Sequence, residues 1–165
     1  AQPDYEPALL ASARLKAAGR DFEGALVIVD GVLTKSPKSY EALLLKGSLA
    51  SVQGDSNAAL DLYHKAVEAK PDYLIAHSAI ITSLMQQGKL DEAVKQLDAL
   101  KKIAPKNPQT IYLDAQLSYQ RKDYKAAREL SQQMLKIAPN NPGVLQIAGA
   151  VEFHARKTAR SLRPP

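Results

Sequence analysis

Apolar side chains recur along the chain at helical rather than strand spacing. The positions i, i+3, i+4 and i+7 are occupied by His77, Ile80, Ile81 and Leu84, and the spacing recurs in the segment that begins at Leu90. No segment alternates apolar and polar residues over the length of a strand. The pattern therefore predicts an all-α protein. The predicted helices are 5–18, 22–35, 40–53, 56–69, 73–87, 90–103, 108–121, 124–137 and 142–156.

A period of 34 residues runs through the predicted helices. Three columns, one of alanine, one of mainly small residues and one of proline, share this period and one register. Such a period predicts stacked units of two helices, because a lone helix pair cannot bury its own apolar stripe. The small residues let the two helices approach, and proline stops the second helix because it has no amide hydrogen. The columns are Ala25, Ala59, Ala93 and Ala127; Gly47, Ile81, Ala115 and Gly149; and Pro37, Pro71, Pro105 and Pro139.

The 34-residue units resemble the tetratricopeptide repeat, in which a helix A, a turn and a helix B follow one another. The segments that carry the resemblance are GDSNAALDLYHKAVEAKP (54–71), GKLDEAVKQLDALKKIAP (88–105) and KDYKAARELSQQMLKIAP (122–139). It covers residues 5–153 and implies a right-handed α-solenoid. The turn of the first unit begins at Gly19 and is predicted to hold one extra residue. The predicted units are 5–39, 40–73, 74–107 and 108–141, followed by a capping or truncated helix at 142–156 and a basic tail at 157–165.

In this family the A helices line a concave groove, so the resemblance implies a groove that binds a protein or peptide partner. The matching positions carry almost no charge, which favours an apolar or amphipathic partner segment. Tyr112 and Tyr119 are the predicted anchors because tyrosine is large, rigid and amphipathic. The predicted partner-binding residues are Leu44, Ser48, Ser51, Ser78, Thr82, Met85, Tyr112, Gln116, Tyr119 and Gln120. Further groove positions are Leu45, Val52, Ile75, Ala79, Gln86, Gln109, Leu113, Gln146, Ile147 and Ala150.

The groove lacks one feature that some members of the family use. Those members hold the C-terminal carboxylate of a peptide with a lysine and an asparagine on helix A, and the absence of this clamp disfavours a chaperone tail as the ligand. For Leu44, Leu45 and Leu113, packing between neighbouring A helices is an equal alternative to partner binding. The positions that match the clamp hold Leu44 and Ser48, Ser78 and Thr82, and Tyr112 and Gln116.

The positive charge of the chain is concentrated near its C-terminal end. The 165 residues include 22 basic and 17 acidic residues, a net charge of +5 with a pI near 9.3. Residues 156–165 hold four basic residues and no acid, and the rest of the chain has a net charge of +1. The pI alone would favour nucleic acid as a partner. The position of the charge instead favours a frayed basic end, which leaves an RNA-associated helical repeat as the weaker alternative.

The sequence contains no catalytic or metal-binding constellation, and a non-catalytic protein without cofactor or metal is predicted. The lack of cysteine excludes disulfides, thiol catalysis and thiolate metal sites. The histidines form no metal-binding pair, and His77 is predicted to be a packed core residue. The segment GRDFEG at 19–24 has the glycine spacing of a phosphate loop, but no lysine follows it and no strand precedes it.

Some strings resemble a narrower group, the large repeat lipoproteins of bacterial exosortase (PEP-CTERM) and exopolysaccharide loci. These strings are EALLLKGSLASVQGD (41–55), QQGKLDEAVKQLDALKKIAPKNPQ (86–109) and NNPGVLQIAGAVEF (140–153). The resemblance implies a periplasmic or envelope scaffold of which this chain is a fragment; otherwise a cytoplasmic protein is expected. No apolar run of about 18 residues occurs, so no membrane span is predicted. A structural alternative is self-association of a longer array through the apolar helix that begins at residue 142.

Overall fold

The computed structural model describes the backbone of residues 5–161 and the side chains of residues 5–157. Within this range the regular elements are all α-helices, as the apolar spacing predicts, and none is long and apolar enough to cross a membrane. The helices are α1 (Tyr5–Ala18), α2 (Phe22–Lys35), α3 (Tyr40–Val52), α4 (Ser56–Ala69), α5 (Leu74–Gln86), α6 (Leu90–Ile103), α7 (Pro108–Gln120), α8 (Tyr124–Ile137) and α9 (Pro142–Ser161).

The predicted helix bounds agree with the structure to within one residue, except at the end of α9. This helix is predicted to end at residue 156 but continues to Ser161. Residues 157–161 read KTARS and contain neither proline nor glycine, so nothing in this segment stops a helix. The predicted helix end at residue 156 is therefore wrong, whereas the basic tail at 157–165 stays a prediction, and residues 162–165 lie outside the described residues.

The turn between helix A and helix B contains one residue with a positive φ angle in each of the four units. These residues are Arg20, Gly54, Gly88 and Lys122, with φ angles of +64°, +89°, +72° and +63°. They keep the 34-residue period, so the first turn has the same length as the others and the prediction of one extra residue in this turn is wrong. Arginine and lysine adopt this left-handed conformation at a cost of about 1–2 kcal/mol, because their β-carbon crowds the following carbonyl oxygen.

Aspartate caps three of the four B helices. The side chains of Asp21, Asp55 and Asp123 accept hydrogen bonds of 2.9 to 3.0 Å from the amide three residues further along. The matching residue of α6 is Lys89, whose side chain makes no capping hydrogen bond. An amide at the start of α6 therefore lacks a side-chain acceptor that the other B helices provide, which costs about 1 kcal/mol.

The chain divides into two compact units, residues 1–83 and 84–165. In the first unit α1 packs on α2 and α3 packs on α4. Ala25 and Ala59 of the alanine column are fully buried. Gly47 of α3 lies so close to α4 that an added β-carbon would be 2.6 Å from the Tyr63 ring and 3.2 Å from the Ala59 carbonyl oxygen. Small residues therefore set the distance between these helices.

In the second unit α8 packs on both α7 and α9. Two clusters of buried side chains hold the three helices together. One contains Ala115, Ala127, Ile147 and Val151, and the other contains Ile111, Met134 and Val144. The helices α7 and α9, which both occupy A positions, also contact each other. This contact brings the predicted groove positions of two repeats onto neighbouring surfaces.

Candidate functional site

The groove positions of α7 and α9 line a cavity of about 250 Å³. No lining side chain carries a formal charge. The lining residues are Gln116, Tyr119 and Gln120 from α7 and Gln146, Ile147 and Ala150 from α9. All six are positions that the family resemblance assigns to the groove. The fold therefore gathers three amide side chains, one phenol and two apolar side chains around one space.

The Tyr119 ring is held in place by other aromatic rings. It is half-buried and packs against the cluster of Ala115 and Ile147. It meets the rings of Tyr124 and His154 edge to face, each with a centroid distance of 5.7 Å. His154 in turn stacks on Tyr124 at 4.5 Å with an interplanar angle of 11°. A ring fixed in this way loses little conformational freedom when a ligand packs on it.

The second predicted anchor, Tyr112, supports the wall of the cavity and is not one of its lining residues. Its hydroxyl oxygen accepts a hydrogen bond of 3.1 Å from the Gln116 side-chain amide. An added β-carbon on Gly143 would lie 2.3 Å from the same hydroxyl oxygen. Tyr112 is thus packed between α7 and the first turn of α9, where it orients Gln116. Sequence reasoning missed this contact because it depends on Gly143, which lies outside the columns that define the repeat.

Two other predicted groove residues of the second unit are buried. Leu113 is 1% exposed and Met85 is 8% exposed. For Leu113 the structure therefore decides for packing over partner binding. Met85 also offers little surface, in contrast to its prediction as a partner-binding residue. Gln86 and Gln109 are exposed.

In the first unit, the predicted groove residues present small polar groups and partly buried leucines. Leu44 packs against the cluster of Leu43, Ala66 and Ala76, and the Ser48 hydroxyl donates to the Leu44 carbonyl oxygen at 3.0 Å. Leu45 packs against the neighbouring core. Of the remaining positions, Ser51, Ser78 and Ala79 are half-buried, and Val52, Ile75 and Thr82 are exposed. Leu44 and Leu45 thus contribute to the core of this unit as well as to its surface.

A larger cavity of about 710 Å³ lies in the first unit, between the start of α1 and the turn that leads into α3. It is lined by Glu6, Pro7 and residues 36–41, none of which was predicted as a site residue. Its central polar groups already bind each other, because the Ser39 hydroxyl donates to the Glu6 carboxylate and accepts from the Ala42 amide. We therefore favour the smaller, uncharged cavity as the candidate site.

The described residues contain no catalytic constellation. His77 is 5% exposed, and its Nε2 lies 2.8 Å from the Pro71 carbonyl oxygen, so the prediction of a packed core histidine is confirmed. No group of three potential metal ligands occurs among the side chains that the structure describes. The phosphate-loop spacing at 19–24 belongs to the turn between α1 and α2 and to the first residues of α2.

Comparisons with known proteins agree with this architecture. Two family models, both described as tetratricopeptide repeat, match residues 10–73 and 52–117. Among curated proteins, the uncharacterised protein y4yS of Sinorhizobium fredii is 32% identical over 68 residues, 41% of this chain and 37% of that protein. Cellulose synthase operon protein C of Pseudomonas fluorescens is 27% identical over 124 residues, 72% of this chain and 10% of that protein. The chain thus spans less than half the length of either relative.

Solved structures with the same fold share little sequence with the chain. A tetratricopeptide repeat protein from Parabacteroides merdae has a TM-score of 0.80 at 18% identity, covering 98% of this chain and 63% of that chain. Pseudomonas aeruginosa PilF has a TM-score of 0.83 at 18% identity, covering 93% of this chain and 70% of that chain. The two family matches together cover residues 10–117. The chain therefore belongs to the tetratricopeptide repeat family, whose members are typically non-catalytic protein–protein interaction modules.

Proposed function

We propose that the chain is a non-catalytic scaffold that binds a segment of a partner protein in the groove formed by α7 and α9. The observation that supports this proposal is the cavity in which six predicted groove positions from two A helices meet. Its uncharged lining favours an apolar or amphipathic segment over a charged peptide terminus.

The cavity suits one large side chain of the partner together with its main chain. The ring of Tyr119 supplies the apolar contact, and aromatic anchors of this kind often dominate binding energy. Ile147 is 8% exposed and packs behind this ring. The amides of Gln116, Gln120 and Gln146 each offer a hydrogen-bond donor and an acceptor, which match the alternating groups of an extended peptide backbone. We therefore expect a partner segment with a single apolar or aromatic anchor residue.

A displayed library of random peptides, selected against the chain, tests this proposal. We expect the selected peptides to share an apolar anchor and to bind Tyr119→Ala at least about tenfold more weakly, the usual loss at an anchor position. The matched control is Tyr5→Ala, which removes a tyrosine that is 53% exposed on α1. Peptides that bind Tyr119→Ala and the wild type equally, or a failure to select any peptide, would contradict the proposal.

A role in exopolysaccharide export is a second proposal, and the similarity to cellulose synthase operon protein C favours it. In this role the groove would hold a component of the export machinery. Deletion of the gene should lower the amount of secreted polysaccharide, and the wild-type gene should restore it while a Tyr119→Ala gene does not. Unchanged polysaccharide after deletion would rule out this role and leave the peptide-binding proposal standing. The origin from an exosortase-associated lipoprotein remains a prediction from the resemblance.

The two alternatives from the sequence make different demands on the chain. Self-association requires exposed apolar faces outside the groove, which α1 and α9 provide. RNA binding requires basic side chains that contact phosphates, so its affinity should fall steeply as salt is raised. The decisive result is a generic RNA that binds the chain even after residues 154–165 are removed, with an affinity that falls as salt is raised. That result would favour an RNA-associated repeat over a groove that binds a protein segment.

A further inference from the structure

The three glutamines that line the cavity between α7 and α9 differ in how firmly they are held. Gln120 and Gln146 are exposed, and neither has a hydrogen-bond partner among the described residues. Gln116 is half-buried, and its Nε2 donates a hydrogen bond of 3.1 Å to the Tyr112 hydroxyl oxygen. The Gln116 amide is therefore held in one orientation before a ligand enters, whereas the other two amides are free to turn toward it.

The Tyr112 ring has room beside α9 because the second residue of this helix is Gly143. An added β-carbon on Gly143 would lie 2.3 Å from the Tyr112 hydroxyl oxygen and 3.0 Å from its Cζ, so a larger residue would displace the hydroxyl. The 34-residue period matches Tyr112, Gln116 and Gly143 with other residue types in the other A helices, so the stacking of repeats does not require this arrangement. The matching residues are Leu10, Leu44, Ser78 and Gln146; Arg14, Ser48, Thr82 and Ala150; and Pro7, Glu41, Ile75 and Gln109.

The Gln116 amide is left with an open hydrogen-bond acceptor. Its nitrogen is bound to Tyr112, which is not one of the residues that line the cavity. Within the part of the chain that the structure describes, no donor pairs with its carbonyl oxygen, Oε1, and this oxygen is not buried. A ligand that covers Oε1 without donating a hydrogen bond would leave a polar atom unpaired and removed from water, which is unfavourable.

The other lining groups favour an uncharged aromatic ring in the partner. The Tyr119 ring is held by edge-to-face contacts with Tyr124 and His154, and a second ring can pack against it in an offset or edge-to-face arrangement. The six lining side chains are all uncharged, so a lysine or arginine of the partner would enter without an opposite charge. Among aromatic side chains, phenylalanine has no donor, tryptophan has a donor only, and tyrosine has both a donor and an acceptor.

We propose that the cavity selects a tyrosine of the partner segment, an inference that rests on the proposed function. The tyrosine ring packs against Tyr119, and its hydroxyl donates to Oε1 of Gln116. The same hydroxyl accepts a hydrogen bond from Gln120 or Gln146, whose amides are free to turn. Gln116 is thus the residue that determines specificity, and Tyr112 is the residue that positions it.

A displayed library of random peptides, selected against the chain, supplies the probe. The peptide that binds the wild type most tightly is synthesised with tyrosine, phenylalanine or leucine at its anchor, the position whose change to alanine weakens binding most. Dissociation constants are measured by isothermal titration calorimetry. The wild type should bind the tyrosine version about fivefold more tightly than the phenylalanine version, the usual contribution of one hydrogen bond, and the leucine version more weakly still.

The ratio of the phenylalanine to the tyrosine dissociation constant is the readout for variants of the chain. General damage to the cavity affects both peptides and cancels in this ratio. Gln116→Met keeps the length of the side chain but removes the amide, so the two constants should agree within about twofold. Its control is Gln109→Met, at an exposed glutamine of α7 that does not line the cavity, and this variant should keep the wild-type ratio. Tyr112→Phe removes only the hydroxyl that holds Gln116, and it should lower the ratio at least about twofold.

The possible failures distinguish this inference from the proposed function. If the wild type binds the phenylalanine or leucine version as tightly as the tyrosine version, selection of tyrosine is overturned. A preference for tyrosine that persists in Gln116→Met would overturn it as well. In both cases the proposed function stands as long as the peptides bind Tyr119→Ala more weakly than the wild type. Failure to select any peptide, or equal binding to Tyr119→Ala and the wild type, would overturn both.

Discussion

The same substitution of glycine by alanine should have opposite effects on stability at Gly54 and Gly31. Gly54 lies in the turn between α3 and α4 with φ of +89°, whereas Gly31 lies inside α2. At both positions an added β-carbon would meet no atom within 4 Å. Packing therefore contributes nothing to either change, and the backbone conformation alone decides its sign.

The magnitudes follow from this difference. In a helix interior alanine is favoured over glycine by about 0.8–1.0 kcal/mol, so Gly31→Ala should stabilise the chain by about 1 kcal/mol. At a positive φ angle an L-residue costs about 1–2 kcal/mol, and alanine also restricts the unfolded chain. Gly54→Ala should therefore destabilise the chain by about 1 kcal/mol, and the two variants should differ by about 2 kcal/mol.

Urea denaturation followed by circular dichroism measures both effects. The midpoint should rise for Gly31→Ala and fall for Gly54→Ala, with the slope of the transition unchanged. Gly88→Ala is an independent repeat of the turn position, because Gly88 has φ of +72° and equally open surroundings. Shifts of the same sign at the helix and turn positions would refute the reasoning.

Three further predictions concern helix starts and close packing. Lys89→Asp should stabilise α6 by about 1 kcal/mol by supplying the missing cap, and an unchanged thermal midpoint would contradict this. Gly47→Ala should destabilise the chain by about 1–3 kcal/mol, because the new methyl group overlaps the Tyr63 ring; urea midpoints should show the loss. The hydrogen bond from Lys16 lowers the pKa of Asp21 below its ordinary value of 3.8. The charged carboxylate of Asp21 therefore stabilises the fold at pH values above 3.8 and loses this effect as the pH falls through the lowered pKa. The thermal midpoints of the wild type and Asp21→Asn should therefore converge as the pH falls below 3.8.

The helices and their repeat could be read from the sequence because each signal is local. The spacing of apolar residues, the alanine column and the proline column depend only on positions along the chain, and they predict the helix bounds to within one residue except in α9. Aspartate at the start of helix B is local in the same sense, since Asp55 caps the helix that it precedes. The extra residue predicted for the first turn is wrong because that prediction aligns Gly19 with Gly54. The residue of the first turn that adopts the left-handed conformation is Arg20, which lies 34 residues before Gly54.

The sequence by itself therefore determined the helices and the repeat family, and it predicted a set of groove positions. Only the tertiary structure decided which of these positions line one cavity. Tyr119 and Gln116 line a cavity with α9, while Tyr112 is held against Gly143 and Leu113 is buried. The physical reason is that helix period fixes the side of a helix on which a residue lies, whereas its exposure depends on the side chains of a second helix that packs beside it.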